Sequence, residues 1–352
     1  MLPEMGDSLD VSVATAATSL TAYLVPFAVL MLISGTLAER FGRRRTVQVG
    51  YIVYTLASIG CAVAPSFAVL MIARVVQGGS NAFTTPVLVA AVSDATPRER
   101  LGRALGLFGS MQATGQAMAP LVGGLAASVD WRLAFWGTAL VSALLAVLPP
   151  RDAKTAPAGS AADRWKVLAN RKLVVACIVA ALAFLTTMGV TILAALYADD
   201  AFGLGPTARG LVVAVFGLAG LASGRWLGSL MDRFNMLKVG AAMQVVLGVG
   251  AALIGVVPTL ALMIICIGVA GAAATGTRTV AQTLAVTSAP TNRSGAVSVM
   301  LACQFGGAAI APLLWVPIYQ DSQSAALVLA GIPAILAGLV LLVARRLNWA
   351  EG

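Results

Sequence analysis

The chain has 352 residues, 59% of them hydrophobic and 11% charged, and a mean hydropathy of +0.91. A soluble domain carries roughly 25% charged residues, so that class is excluded. The net charge of +9 is spread over short loops and not gathered on one solvated face, which excludes nucleic-acid binding.

Eleven apolar segments run at about 13–38, 46–64, 67–93, 99–127, 131–149, 172–197, 207–231, 236–257, 259–287, 292–318 and 322–345. A helix needs roughly 20 apolar residues to cross ~30 Å of hydrocarbon, and several of these segments exceed that length, which suggests tilt or extension beyond the membrane. The composition therefore predicts an all-α, multi-pass membrane protein. Cys61, Cys177, Cys266 and Cys303 all lie inside apolar runs, and His is absent. Such cysteines behave as small hydrophobes, so no metal site, disulfide framework or cofactor is expected. Residues 1–12 are acidic, unlike a cleavable signal peptide.

The loops alternate in charge. One set carries Arg40, Arg43, Arg44 and Arg45, then Arg98, Arg100 and Arg103, the basic residues of 151–172, Arg233, Lys238, Arg293, Arg345 and Arg346. The other carries Glu4, Asp7, Asp10, Asp130, Asp199, Asp200 and Asp321, with Arg132 and Arg209 as its basic members. Positive charge in short loops marks the cytoplasmic side. The expected location is the plasma (cytoplasmic) membrane, with the C-terminus inside and the N-terminus outside. Pro149, Pro150 and Pro157 sit in the longest connection, which has the composition of a linker. The chain is thus divided into a first bundle, 1–149, a cytoplasmic linker, 150–171, and a second bundle, 172–352.

The two halves repeat. Gly35-Thr36-Leu37-Ala38-Glu39-Arg40-Phe41-Gly42 returns 193 positions later as Gly228-Ser229-Leu230-Met231-Asp232-Arg233-Phe234-Asn235. The same offset carries Pro97, Arg100 and Gly102 onto Pro290, Arg293 and Gly295. Parallel repeats of this kind are a transporter architecture. The helix at 172–197 has no counterpart at that offset, so a twelfth helix is expected ahead of the first segment. Leu2-Pro3-Glu4 reads as its outer end, with either a start codon placed too far downstream or a true eleven-helix form behind the gap.

The stretch 35–45 resembles the loop between helices 2 and 3 of the major facilitator superfamily, with Glu39 where Asp is usual. The resemblance implies two pseudo-symmetric helical bundles, eleven spanning helices visible of twelve. It makes Gly35, Glu39, Arg40, Gly42, Arg43, Arg44 and Asp94 a cytoplasmic gate, with Gly228, Asp232 and Arg233 as its second copy. From the residues alone, the loop can also be a plain orientation signal, and Asp94 the start of a turn before Pro97.

Arg74-Val75-Val76-Gln77-Gly78 resembles the fourth-helix motif of the drug:proton antiporter branch, which implies a part in coupling or substrate binding. Arg74 lies within an apolar run, where an ionised group needs a partner or a watery cavity. Gly106, Gly115, Ala119, Pro120, Gly123 and Gly124 are similar to that branch's fifth-helix pattern, with Ala119 in place of Gly. Proline removes a helix hydrogen bond, and small residues let a neighbouring helix approach. Tyr23, Gln112, Gln116, Gln304 and Phe305 are candidates for a cavity lining, although glutamines also bond helix to helix. Arg225 and Arg278 lie towards the ends of their runs, where the sequence favours snorkelling over function.

None of the fourteen Asp and Glu residues falls in mid-membrane, so proton coupling is implied by the resemblance alone. The expected function is proton-coupled efflux of a small amphipathic compound by alternating access. The expected partners are that substrate, protons and the lipid bilayer, with the protein a monomer. A sugar or metabolite exporter of the same fold, and a truncated non-transporting membrane protein, are the alternatives. No catalytic constellation is present, so an enzyme is not expected.

Overall fold

The computed structural model describes residues 1–85, 87–88, 98–148, 170–289 and 293–347. Twelve α-helices occur among them. The apolar segments become α2 (Val13–Phe41), α3 (Arg43–Ala62), α4 (Phe67–Asn81), α5 (Arg98–Ala127), α6 (Arg132–Val147), α7 (Arg171–Asp200), α8 (Pro206–Arg233), α9 (Met236–Ile254), α10 (Leu260–Ser288), α11 (Arg293–Asp321) and α12 (Gln323–Arg346). A short α1 (Leu2–Leu9) precedes them. Hydropathy did not mark it, because Glu4 and Asp7 interrupt its apolar residues.

Local chemistry sets many of these boundaries. The side chains of Ser12, Ser66, Asn170, Asn235 and Thr259 each accept a backbone N–H from the first turn of the helix they precede. Each satisfies one of the orphan donors at a helix start. One segment is interrupted: α4 ends at Asn81, and after a turn at 82–84 helical backbone resumes at residues 85, 87 and 88. There the Thr84 hydroxyl donates to both the backbone and side-chain oxygens of Asn81, at 2.8 and 2.9 Å. Local side-chain bonds of this kind compete with the helical ladder. The linker at 150–169 and the turn containing Asp94 lie outside the described residues.

Seven described helices are long and apolar enough to cross a membrane: α2, α7, α8, α9, α10, α11 and α12. The apolar α6 is shorter. Within the early part of the chain α3 packs on α4 and α6, and α2 on α4. In the later part α7 packs on α10, α11 and α12, and α9 on α10 and α12. Two pairs join early to late helices, α2 with α11 and α5 with α8. Phe27 and Phe305 meet edge to face at 4.7 Å in the first pair. The Thr21 hydroxyl donates to the Ala309 carbonyl at 2.7 Å beside them.

The internal repeat reappears as matched backbone contacts. A Cβ added to Gly78 would fall on the backbone of Tyr23, and one added to Gly271 on the backbone of Phe216. Gly271 and Phe216 stand 193 positions after Gly78 and Tyr23, the offset already found in the loops. Only glycine allows helices this close.

Candidate functional site

A cavity of about 850 Å³ lies between the early and late helices. Tyr23, Tyr54, Arg74, Gln77, Gln116 and Pro120 line it from the first half, and Phe184, Met188, Arg278 and Phe305 from the second. The volume is that of a pocket for a drug-sized ligand.

Arg74 is placed by α4, seven residues beyond its first residue Phe67, or about 10 Å at the helical rise of 1.5 Å. Its Nε donates to the Ser19 carbonyl at 3.2 Å, and one terminal nitrogen donates to Gln77 Oε1 at 2.6 Å. The guanidinium lies 4.4 Å over the Tyr23 ring and 5.7 Å from that of Phe135, both within cation–π range. Gln77 is buried, and its Nε2 donates to Ser58 Oγ at 2.8 Å. Ser58 in turn donates to the Tyr54 carbonyl at 2.7 Å. Asn81 Nδ2 donates to the Tyr23 hydroxyl at 2.6 Å. Arg74, Gln77, Gly78 and Asn81 share one helical face because residues three, four and seven apart align. The result is a polar strip tying α4 to α2 and α3.

The fifth-helix pattern serves the contact between α5 and α8. A Cβ on Gly124 would meet the Pro206 carbonyl at 2.5 Å and Gly210 Cα at 3.0 Å. One on Gly210 would fall on the Pro120 carbonyl, and one on Gly217 on Ala117. Gly123 faces Met1, while Gly115 faces open space. Ala119, Pro120, Gly123 and Gly124 all border the cavity. The side chain at Gly106 lies outside the described residues.

Of the five proposed lining residues, Tyr23, Gln116 and Phe305 line the cavity. Gln304 is 4% exposed and is not among the described lining residues. The side chain of Gln112 is outside the described residues. Arg278 departs from the snorkelling expectation. Its terminal nitrogen donates to Gln116 Oε1 across the two halves at 2.8 Å, and it borders the cavity. Arg225 is exposed, as that expectation requires.

In the loop at 35–45, Gly42 alone separates α2 from α3, at φ 88° and ψ 132°. A residue bearing Cβ rarely adopts that backbone. Arg40 packs 5.7 Å over the Phe41 ring, and Arg40 and Arg44 are exposed. Arg233 is exposed at the end of α8. Asp94 and the side chains at Gly35, Glu39, Gly228 and Asp232 lie outside the described residues.

Arg209, which the sequence did not single out, also borders the cavity and is paired with two acids. Arg209, 6% exposed, donates to Asp199 Oδ2 at 2.5 Å and also to Glu4. Glu4 pairs with the Met1 amino group at 2.7 Å as well. Burial pushes the Glu4 carboxyl up, but hydrogen bonds from that amino group and from the backbone, with the charge of Arg209, outweigh it and hold the carboxyl below its ordinary range. The network joins α1 to the end of α7 and the start of α8. Nothing in the local sequence signals it, since Glu4 and Arg209 are far apart along the chain.

The family model described as Major Facilitator Superfamily matches residues 1–312 and 176–349. The chain is 35% identical over 186 residues to the "Uncharacterized MFS-type transporter EfpA" of Mycobacterium tuberculosis, covering 52% of this chain and 34% of that protein. It is 37% identical over 161 residues to "Puromycin resistance protein pur8" of Streptomyces alboniger, covering 44% and 32%. A "Multidrug resistance protein B homolog" of M. tuberculosis is 35% identical over 144 residues, covering 40% and 27%. The matched region thus spans about a third or less of these curated relatives. A bacterial homolog of the human lysosomal transporter Spinster, in an inward-facing and occupied conformation, has the same fold. The TM-score is 0.75 at 16% identity, with 98% of this chain and 91% of that one covered.

Proposed function

The chain belongs to the Major Facilitator Superfamily, and from that premise we propose that it exports a small amphipathic compound in exchange for protons. The cavity between the halves would open alternately to each side of the membrane, as rocking of two repeats about a central site allows. The bundles would be 1–149 and 172–352, joined by a cytoplasmic linker, in a monomer of the cytoplasmic membrane with its C-terminus inside.

One observation carries this reading: Arg74 stands at the cavity wall within a bonded strip that also holds Gln77 and Gly78. An arginine held at that depth by neutral partners can sense both a substrate and the arrangement of the helices around it. The printed names of relatives, a puromycin resistance protein and a multidrug resistance protein homolog, agree with export. The small residues between α5 and α8 would let those helices slide and part. Glu39, Arg43 and Asp94 would latch the cytoplasmic side, with Asp232 and Arg233 as the weaker second latch.

The test is substrate-induced proton movement in proteoliposomes under an imposed pH gradient, with a panel of amphipathic compounds. Arg74→Ala is expected to lower coupled export at least tenfold, and Arg74→Lys to retain part of it. Unchanged export by Arg74→Ala removes Arg74 from the mechanism. Export that ignores the pH gradient removes proton coupling.

A further inference from the structure

We propose that the cavity recognises amphipathic anions and that Arg278 is the head-group site. The inference rests on the reading of the cavity as the transport site and names its substrate class. Among the described residues, three arginines border the cavity, Arg74, Arg209 and Arg278, and no carboxylate lines it. Arg209 is satisfied by Glu4 and Asp199. Arg74 and Arg278 have only neutral partners among the described residues: the Ser19 carbonyl, Gln77 and aromatic faces for one, Gln116 for the other.

Arginine keeps its charge under all working conditions and presents five donors in a planar fork that matches an acidic head group. Among the described residues one of those donors on Arg278 is engaged, by an amide oxygen from the opposite half. A carboxylate, sulfonate or phosphate monoester entering here would replace that neutral acceptor with a bidentate, charge-assisted pair. It would also give a charge partner to a half-buried cation that has no acidic partner among the described residues. A ligand amine would meet like charge instead.

The rest of the cavity fits an apolar tail. Phe184, Met188, Leu196, Val213 and Phe216 line it on the side of the later helices. Arg278 lies eighteen residues past Leu260, the first residue of α10, while Arg74 lies seven past Phe67, the first of α4. Phe67 and Leu260 are themselves 193 positions apart. The two arginines therefore differ in depth by about 16 Å at 1.5 Å per residue. One head group cannot hold both at once, so they form two stations along one path. Because Gln116 reaches Arg278 from the other half, an anion at Arg278 also breaks a bond between the halves.

The experiment uses the full chain in phosphatidylcholine nanodiscs, with empty discs subtracted. The ligands are three dansyl-labelled eleven-carbon chains, ending in a carboxylate, a carboxamide or a primary amine. At pH 7.5 the carboxylate is expected to bind at least tenfold tighter than either of the others. Arg278→Gln should reduce it to the affinity of the amide, and Arg278→Lys should keep most of the preference. Equal or tighter binding of the amide or amine overturns the proposal, as does an unchanged preference in Arg278→Gln.

Wild-type protein supplies an arm that needs no variant. At pH 4 the carboxylate chain should fall to the affinity of the amide, while a sulfonate analogue should hold its own. A sulfonate that binds no better than the amide overturns the proposal. The same compounds loaded into proteoliposomes separate the two readings. An anion that is bound but never moved keeps the site and defeats the export reading. An amine that is exported while the anion does not bind keeps export and defeats the anion site.

Discussion

Helices α4 and α10 hold equivalent places in the two repeats, and their backbones make the same contact. Gly78 meets Tyr23 as Gly271 meets Phe216, each pair displaced by 193 positions. Their side chains have parted. Arg74, Gln77 and Asn81 correspond to Ile267, Ala270 and Ala274 at that offset, and Ser19, Tyr54 and Ser58 to Val212, Leu247 and Ala251. Every member of the polar strip in the first half is matched by an apolar residue in the second, and Ile267, Ala270 and Leu247 are packed in the core. The second half supplies its charge elsewhere: Arg278 corresponds to Thr85. A repeat can thus keep its backbone geometry while each copy takes on a different electrostatic task.

The comparison breaks most sharply at Ile267. Introducing the first half's residue there, Ile267→Arg, buries a cation among apolar side chains with no partner, at a cost of about 4 kcal/mol. Loss of folded protein in detergent by size-exclusion chromatography is the expected result, and normal accumulation would show that α10 has room for the strip. The glycines come next. Gly78→Ala and Gly271→Ala should each destabilise by about 2–3 kcal/mol, since a Cβ lands on a neighbouring backbone in both. Melting curves that differ widely between the two variants would deny the shared geometry.

Gln77→Ala should have a smaller effect, about 1–2 kcal/mol, because Arg74 and Ser58 each lose a bond inside the protein. Its counterpart Ala270 makes no such bond, so Ala270→Gly should melt within about 1 kcal/mol of the wild type. The smallest effect concerns Glu4. Its folded carboxyl lies below the ordinary value near 4.5, so its contribution is complete above about pH 4.5 and is lost as the pH falls further. The melting difference between wild type and Glu4→Gln is therefore expected to be largest at pH 7 and to shrink towards pH 4. A difference that grows on acidification would place the Glu4 pairing with Arg209 outside the stability of the fold.

Much of the architecture was readable in advance. Each of the eleven apolar segments contains a helix among the described residues, since apolar residues that must satisfy their own backbone in lipid have little other choice. The loop repeat at Gly35 and Gly228 announced the duplication that Gly78 and Gly271 then display in three dimensions. Tyr23, Gln116 and Phe305, offered as cavity lining, border the cavity, and Arg74 and Gln77 border it too. Gln304 is buried and is not among the described residues that line the cavity. The interruption after Asn81 escaped because hydropathy is blind to the local bonds between Asn81 and Thr84.

By itself, the sequence determined the class of this protein: its helices, its membrane, its duplication and the family it resembles. Those follow from composition and period, which act over a few turns of chain. The tertiary structure alone decided which charges are satisfied. Arg209 and Arg278 look alike in the sequence, each a lone arginine in a mostly apolar setting. Folding brings Glu4 and Asp199 to the first and, among the described residues, Gln116 alone to the second, because partners across a bundle are chosen by packing between distant helices. Both border the cavity, but one is a clasp between two acids and the other has a neutral partner.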